Sequence, residues 1–308
     1  MGRAHNHHHH HHAGVGNPAS LKGIYLVSIA LNLAFVFIEA GVGLWKGSLG
    51  LLSDAGHNLS DVFSLLLALV AFRLASTQGN KKYTYGYRKG SILISLLNAV
   101  ILMVAVGAIL MESIHKISRP EAIDGGAIAW TAAAGIVVNG LTAFLLMKHR
   151  KGDINSRGAF LHMAADTLVS VGVVVSGIVI SLTGWYIIDP VIGIIIAIII
   201  LVGTWDLLSE SLRMSLDAVP ESIDPEAVRR TMESTPGVCG VHHMHIWPIS
   251  TTETALTAHL VLQPESPSGE VVRKVKEQLQ DAGIRHATLE TELDGQPCAD
   301  GPGCGCAN

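Results

Sequence analysis

Six stretches of this 308-residue chain, at residues 24–45, 50–74, 89–113, 125–147, 158–183 and 187–208, stay apolar long enough to cross a membrane. A hydrocarbon core of ~30 Å needs about 20 helical residues, and lipid offers the backbone no hydrogen bonds, so such stretches must satisfy their own amides as helices. With 49% hydrophobic and 15% charged residues and a mean hydropathy of +0.42, an ordinary soluble enzyme of this length is excluded. The net charge of −4 gives no reason to expect nucleic acid as a partner. The expected fold is a membrane all-α bundle of six transmembrane helices over residues 21–208, surrounded by lipid.

Orientation follows from the basic residues. The second-to-third connection carries Arg73, Lys81, Lys82, Arg88 and Lys89, and the fourth-to-fifth carries Lys148, Arg150, Lys151 and Arg157. The opposite connections hold only Lys46, Lys116 and Arg119. An even number of spans with that bias puts both termini in the cytoplasm.

Polar residues interrupt the second and fifth segments in matching fashion. Within Ser53–Asp61, His57 and Asp61 stand four apart, with Asp54 and Asn58 adjoining, and the same spacing returns at His162 and Asp166. At 3.6 residues per turn each pair shares a helix face. Ionisable groups at membrane depth cost a few kcal/mol each, so they face a partner, an ion or a water-filled path. One such pair reads equally well as a histidine hydrogen-bonded to its neighbouring aspartate, but packing alone gives no reason for the pair to recur. Counted from the flanks at Arg73 and Arg157, Asp61 lies ~18 Å deep and Asp166 ~14 Å. The two segments run antiparallel at equivalent places in two groups of three, which permits an inverted repeat.

Two imidazoles and two carboxylates in tetrahedral array suit zinc, with bonds of ~2.0–2.2 Å, and admit cadmium, cobalt or nickel. Metal ligands must be deprotonated, so protons expel the ion, and imidazole, which ordinarily titrates near pH ~6.5, is suited to that exchange. The expected function is proton-coupled export of Zn2+ from the cytoplasm, with protons as counter-ion. An intramembrane zinc hydrolase would need a general base and an open coordination position. No Glu adjoins either histidine, and there is no His-Glu-x-x-His motif. A non-transporting, membrane-anchored metal sensor or scaffold is the remaining rival, disfavoured by the complete set of four ligands. Asp189-Pro190 reads as a helix-opening turn rather than a ligand.

Past Leu208 the composition becomes that of a soluble module. A helix from Asp224-Pro225 to Ser234, strands over Val238–Pro248 and Glu253–Gln263, a helix over Ser268–Asp281 and a strand over Ile284–Leu293 give the order α-β-β-α-β, with both helices expected on one face of the sheet. Residues 294–308 read as an irregular tail. All four cysteines (Cys239, Cys298, Cys304 and Cys306) follow the last apolar segment, which fits a reduced cytosolic C-terminus better than a disulfide framework. At the other end, His5 and the run His7–His12 are either a purification tag or a native metal-sequestering tail. His5-Asn6 ahead of the run, and no linker after it, favour the native tail, expected to be disordered through residue 20.

These residues resemble the cation diffusion facilitators, zinc and related divalent-metal/proton antiporters. The likeness rests on Leu52–Asp61, Tyr85-Gly86-Tyr87-Arg88-Lys89, His162–Asp166, Asp189-Pro190 and His242-His243-Met244-His245-Ile246-Trp247, and covers residues 20–293. It implies a homodimer, a transport site of His57, Asp61, His162 and Asp166, and a cytoplasmic ferredoxin-like domain over residues 209–293 that takes regulatory zinc. By position, the resemblance makes Lys89 and Asp217 an interlock; the plainer reading is a positive-inside anchor and a solvated charge. It also implies accessory ligands at His242 and His259, with Glu290 and Glu292 where relatives carry His and Asp. His243 and His245 alternate with His242 and so are expected on the other face. Cys304 and Cys306, with Cys298 and the N-terminal histidines, resemble metal-scavenging tails. No cleavable signal and no long insertion is recognisable, which points to a bacterial inner membrane.

Overall fold

The computed structural model describes residues 18–46, 49–118 and 125–293; at some helical positions, Asp54, His57 and Asp189 among them, only the backbone is described. The His-rich N-terminal run, Cys298, Cys304 and Cys306 lie outside the described residues. The apolar stretches fall in six helices: α1 (Pro18–Lys46), α2 (Leu49–Ala75), α3 (Gly90–Ser118), α4 (Gly125–Met147), α5 (Ile154–Thr183) and α6 (Ile188–Ser215). Among the described residues, three helices are long and apolar enough to cross a membrane by length and composition, over Leu21–Val42, Gly90–Ile117 and Pro190–Ser215. α2 and α5, at 27 and 30 residues, carry the ionisable motifs. Helix α6 outlasts the apolar run that ends at Leu208, because Leu207, Ser211 and Met214 continue a buried stripe at helical spacing.

Contacts divide the chain into two compact units, Met1–Val70 with Leu97–Leu207, and Ala71–Leu96 with Leu208–Asn308. In the first, α4 packs along α5 and touches α1. Val106 of α3, Ala165 of α5 and Ile196, Ala197 and Ile200 of α6 form an apolar cluster. Small residues permit that closeness: a Cβ on Gly172 would come within 2.3 Å of Ile196. Buried polar pairs tie the helices as well. The Asn32 amide donates to Thr142 Oγ1 at 3.0 Å, and the Tyr25 hydroxyl meets Ser156 Oγ at 2.9 Å. The outward faces of these helices are apolar, with Phe37, Val104, Leu182 and Val202 largely exposed, as hydrocarbon requires.

The second unit contains a three-stranded sheet. Helix α7 (Pro225–Glu233), capped by the Asp224 carboxylate, leads into β1 (Val238–Pro248), β2 (Thr254–Leu262), α8 (Ser268–Asp281) and β3 (Ile284–Leu293). The strand order is β1-β2-β3, antiparallel between the first pair and parallel between the second, α8 making the crossover that a parallel pair needs. Val228 and Met232 of α7, with Val271, Val275 and Leu279 of α8, bury one face of the sheet against Leu256, Ala258, Leu260 and Ile284. The α-β-β-α-β order and the one-sided helix layer match the expectation from sequence. The opposite face carries the polar side chains.

Candidate metal centre

The helical conformation of α2 and α5 brings their polar motifs together. His162 Nε2 lies 2.9 Å from Asp61 Oδ1, across the helix pair, and 3.8 Å from Asp166 Oδ2 on its own helix. The histidine's short contact is therefore to the other helix's aspartate rather than to its own neighbour. One donor atom from each of the three residues lies within 4.8 Å of the others, an enclosure small enough for one cation. Asp61 is fully buried and His162 nearly so. Three ionisable groups so gathered in an apolar bundle are costly to desolvate unless a counter-charge completes the set, and a divalent cation would supply it. His57 stands one turn before Asp61 on α2 and Asp54 two turns before it; their side chains are outside the described residues.

One residue of this region was not singled out from sequence. Glu39 of α1, in the midst of Phe37, Ile38 and Ala40, is buried and accepts a 2.7 Å hydrogen bond on Oε2 from the Asn58 amide. A lone acid in an apolar run was the available signal.

A second cluster lies on the open face of the sheet. His242 pairs across the strands with His259, and His259 with Glu290. Glu292 links the two imidazoles, with Oε1 2.8 Å from His259 Nδ1 and Oε2 3.1 Å from His242 Nε2, while Glu290 stands 3.5 Å from His259 Nε2. Atoms of His242, His259 and Glu292 lie within 4.8 Å of one another.

The expected placing of His243 and His245 on the other face from His242 is corrected. The β1–β2 register slips between His242 and His245, and His243 has φ +49°. This bulge adds a residue and reverses the alternation beyond it, so Met244 and Ile246 join the core while His243 stays with His242. The His243 ring stacks on His259 with centroids 4.9 Å apart and meets His242 edge-on at 5.1 Å. Three imidazoles thus lie together, two of them in contact with the Glu292 carboxylate.

Between the α2–α3 connection and the residues after α6, Lys89 Nζ lies 2.7 and 2.9 Å from the two Asp217 oxygens, so neither is a lone solvated charge. Asp217 sits at φ +60°, where the Ala218 amide closes back on Arg213 O, the left-handed helix ending that glycine usually occupies. Arg88 pairs with Glu253 of the β1–β2 turn, and Ser91 Oγ accepts the Thr251 amide at 3.2 Å.

Comparison with known proteins gives a consistent picture. Residues 25–214 match the cation efflux transmembrane domain, and residues 220–292 the cytoplasmic domain of cation efflux proteins. The chain is 35% identical over 295 residues to the cadmium, cobalt and zinc/H(+)-K(+) antiporter of Bacillus subtilis, covering 94% of this chain and 92% of the relative. It is 35% identical to the metal cation efflux system protein CzcD of Cupriavidus metallidurans, over 97% and 92% of the two chains. With the zinc transporter ZitB of Escherichia coli it shares 32% identity over 99% and 96%.

Proposed function

The chain belongs to the cation efflux family, the cation diffusion facilitators, and from that membership we propose that it exports Zn2+ from the cytoplasm in exchange for protons. The family is one of metal-ion transporters, not enzymes. The observation that carries the reading is the convergence of Asp61, His162 and Asp166 from two helices in an apolar bundle. His57 completes a tetrahedral His2Asp2 site, which suits zinc and its near neighbours cadmium, cobalt and nickel. The relatives' names, zinc, cadmium and cobalt transporters, support that cargo. Proton exchange follows from the ligands: each must lose its proton to bind metal, and regains it as metal leaves. The membrane potential, worth ~2.3 kcal/mol per charge per 100 mV, draws those protons inward.

On the same reading, six helices cross a bacterial inner membrane with both termini in the cytoplasm. Residues 209–293 form a cytoplasmic, ferredoxin-like module that pairs two chains into a homodimer, in keeping with the dimer domain that its family model describes. His242, His259 and Glu292 hold a regulatory zinc there, with His243 and Glu290 beside them, and Lys89–Asp217 acts as an interlock. Asp166→Ala tests the transport site. In proteoliposomes it should lower zinc-driven proton movement by more than the ~10–100-fold that changes outside the ligand sphere cost, with the protein still folded and dimeric. Unchanged flux would refute the ligand assignment.

A further inference from the structure

Glu39 takes no part in the His2Asp2 set, yet its burial is costly. A carboxylate at membrane depth costs a few kcal/mol. A clamp between α1 and α2 does not need one, since neutral Asn32 and Thr142 make an equivalent tie between α1 and α4. Its place along the bundle is informative. Asn58, to which it is bonded at 2.7 Å, precedes Asp61 by three residues, so the pair lies ~4.5 Å nearer the α1–α2 connection. That end is opposite the basic α2–α3 connection, so the pair lies on the outer half of the centre, between the levels of Asp61 and His57.

We propose that Glu39 is a cargo-contacting residue on the exit path, taking zinc from Asp61, His162 and Asp166 and passing it outward; this rests on the export reading. The Asn58 carboxamide is both donor and acceptor. It hydrogen-bonds the Glu39 carboxylate through Nδ2, and its Oδ1 is an oxygen donor of the kind a cation takes. Oxygen donors alone suit harder ions and hold zinc less firmly than a set containing imidazole. The ion therefore meets a weaker stop after a stronger one, the condition for leaving a multi-site path.

The test compares full-length wild type, Asp61→Asn, Glu39→Gln and Glu39→Asp in proteoliposomes with zinc as cargo, measuring initial rates and equilibrium zinc binding. Glu39→Gln keeps the shape and still accepts the Asn58 hydrogen bond, so a mere clamp would survive it. For a relay, its maximal rate should fall at least ~10-fold with KM and zinc affinity little changed, while Glu39→Asp, which keeps a carboxylate, retains most of the rate. Wild-type rates in Glu39→Gln would overturn the proposal. So would loss of zinc affinity together with rate in both Glu39 variants, which marks a structural role. An inactive wild type would sink the export reading and this proposal with it. A selective loss in Glu39→Gln beside an active wild type and a dead Asp61→Asn concerns Glu39 alone.

Discussion

The chemistry of the centre is decided by which atom types its few residues present. One imidazole nitrogen lies within 2.9 Å of Asp61 and 3.8 Å of Asp166, a mixed nitrogen and oxygen set. Replacing His57 by Asp removes an imidazole and adds a hard oxygen, so selectivity should move from zinc toward manganese and the larger cadmium. Competitive uptake of the three ions checks this, and an unaltered order would count against His57 as a ligand. At this scale the sequence was most legible, because a four-residue spacing on a helix fixes which side chains share a face. Glu39 is marked in the sequence only as a lone acid in an apolar run; its partner Asn58 is on another helix, and nothing local announces the meeting.

Among the elements, β1 departs furthest from its sequence pattern. Alternation places residues correctly only where the strand is regular, and a single bulge at His243 reverses everything after it. The hydrophobic pattern held the clue: Val241, Met244 and Ile246 all belong to the core, which strict alternation forbids. Two variants separate backbone from side chain. His243→Gly relieves a left-handed residue and should stabilise the fold by about 1 kcal/mol in metal-free buffer, measured by thermal unfolding. Deleting His243 removes the extra residue and leaves Val241, Met244 and Ile246 on the core face in regular alternation, so the melting temperature should change little. A deletion that destabilises by about 3–6 kcal/mol would show that Met244 and Ile246 had turned outward, against this reading of the bulge.

For the whole molecule, the order of six helices followed by α-β-β-α-β was readable because apolar runs and turn residues are strong local signals. The Lys89–Asp217 pairing was legible only through the family resemblance, since no local signal joins positions 128 residues apart that the folded chain brings within 2.7 Å. Both side chains are half exposed, so the pair contributes about 0–1 kcal/mol to stability. On the proposed interlock reading its value lies in registration. Lys89→Asp or Asp217→Lys alone should lower the transport rate several-fold with little change in melting temperature, and the double exchange should recover it. Failure of the double variant to recover would mean that each residue acts separately.

The central claim is that α2 and α5 enclose one transported cation between Asp61, His162 and Asp166. It is met most directly by zinc-driven proton flux in proteoliposomes of wild type and Asp61→Asn, a change that preserves size and the contact with His162. Rapid zinc-dependent proton movement in the first and background flux in the second is the expected result; equal flux in both would contradict it.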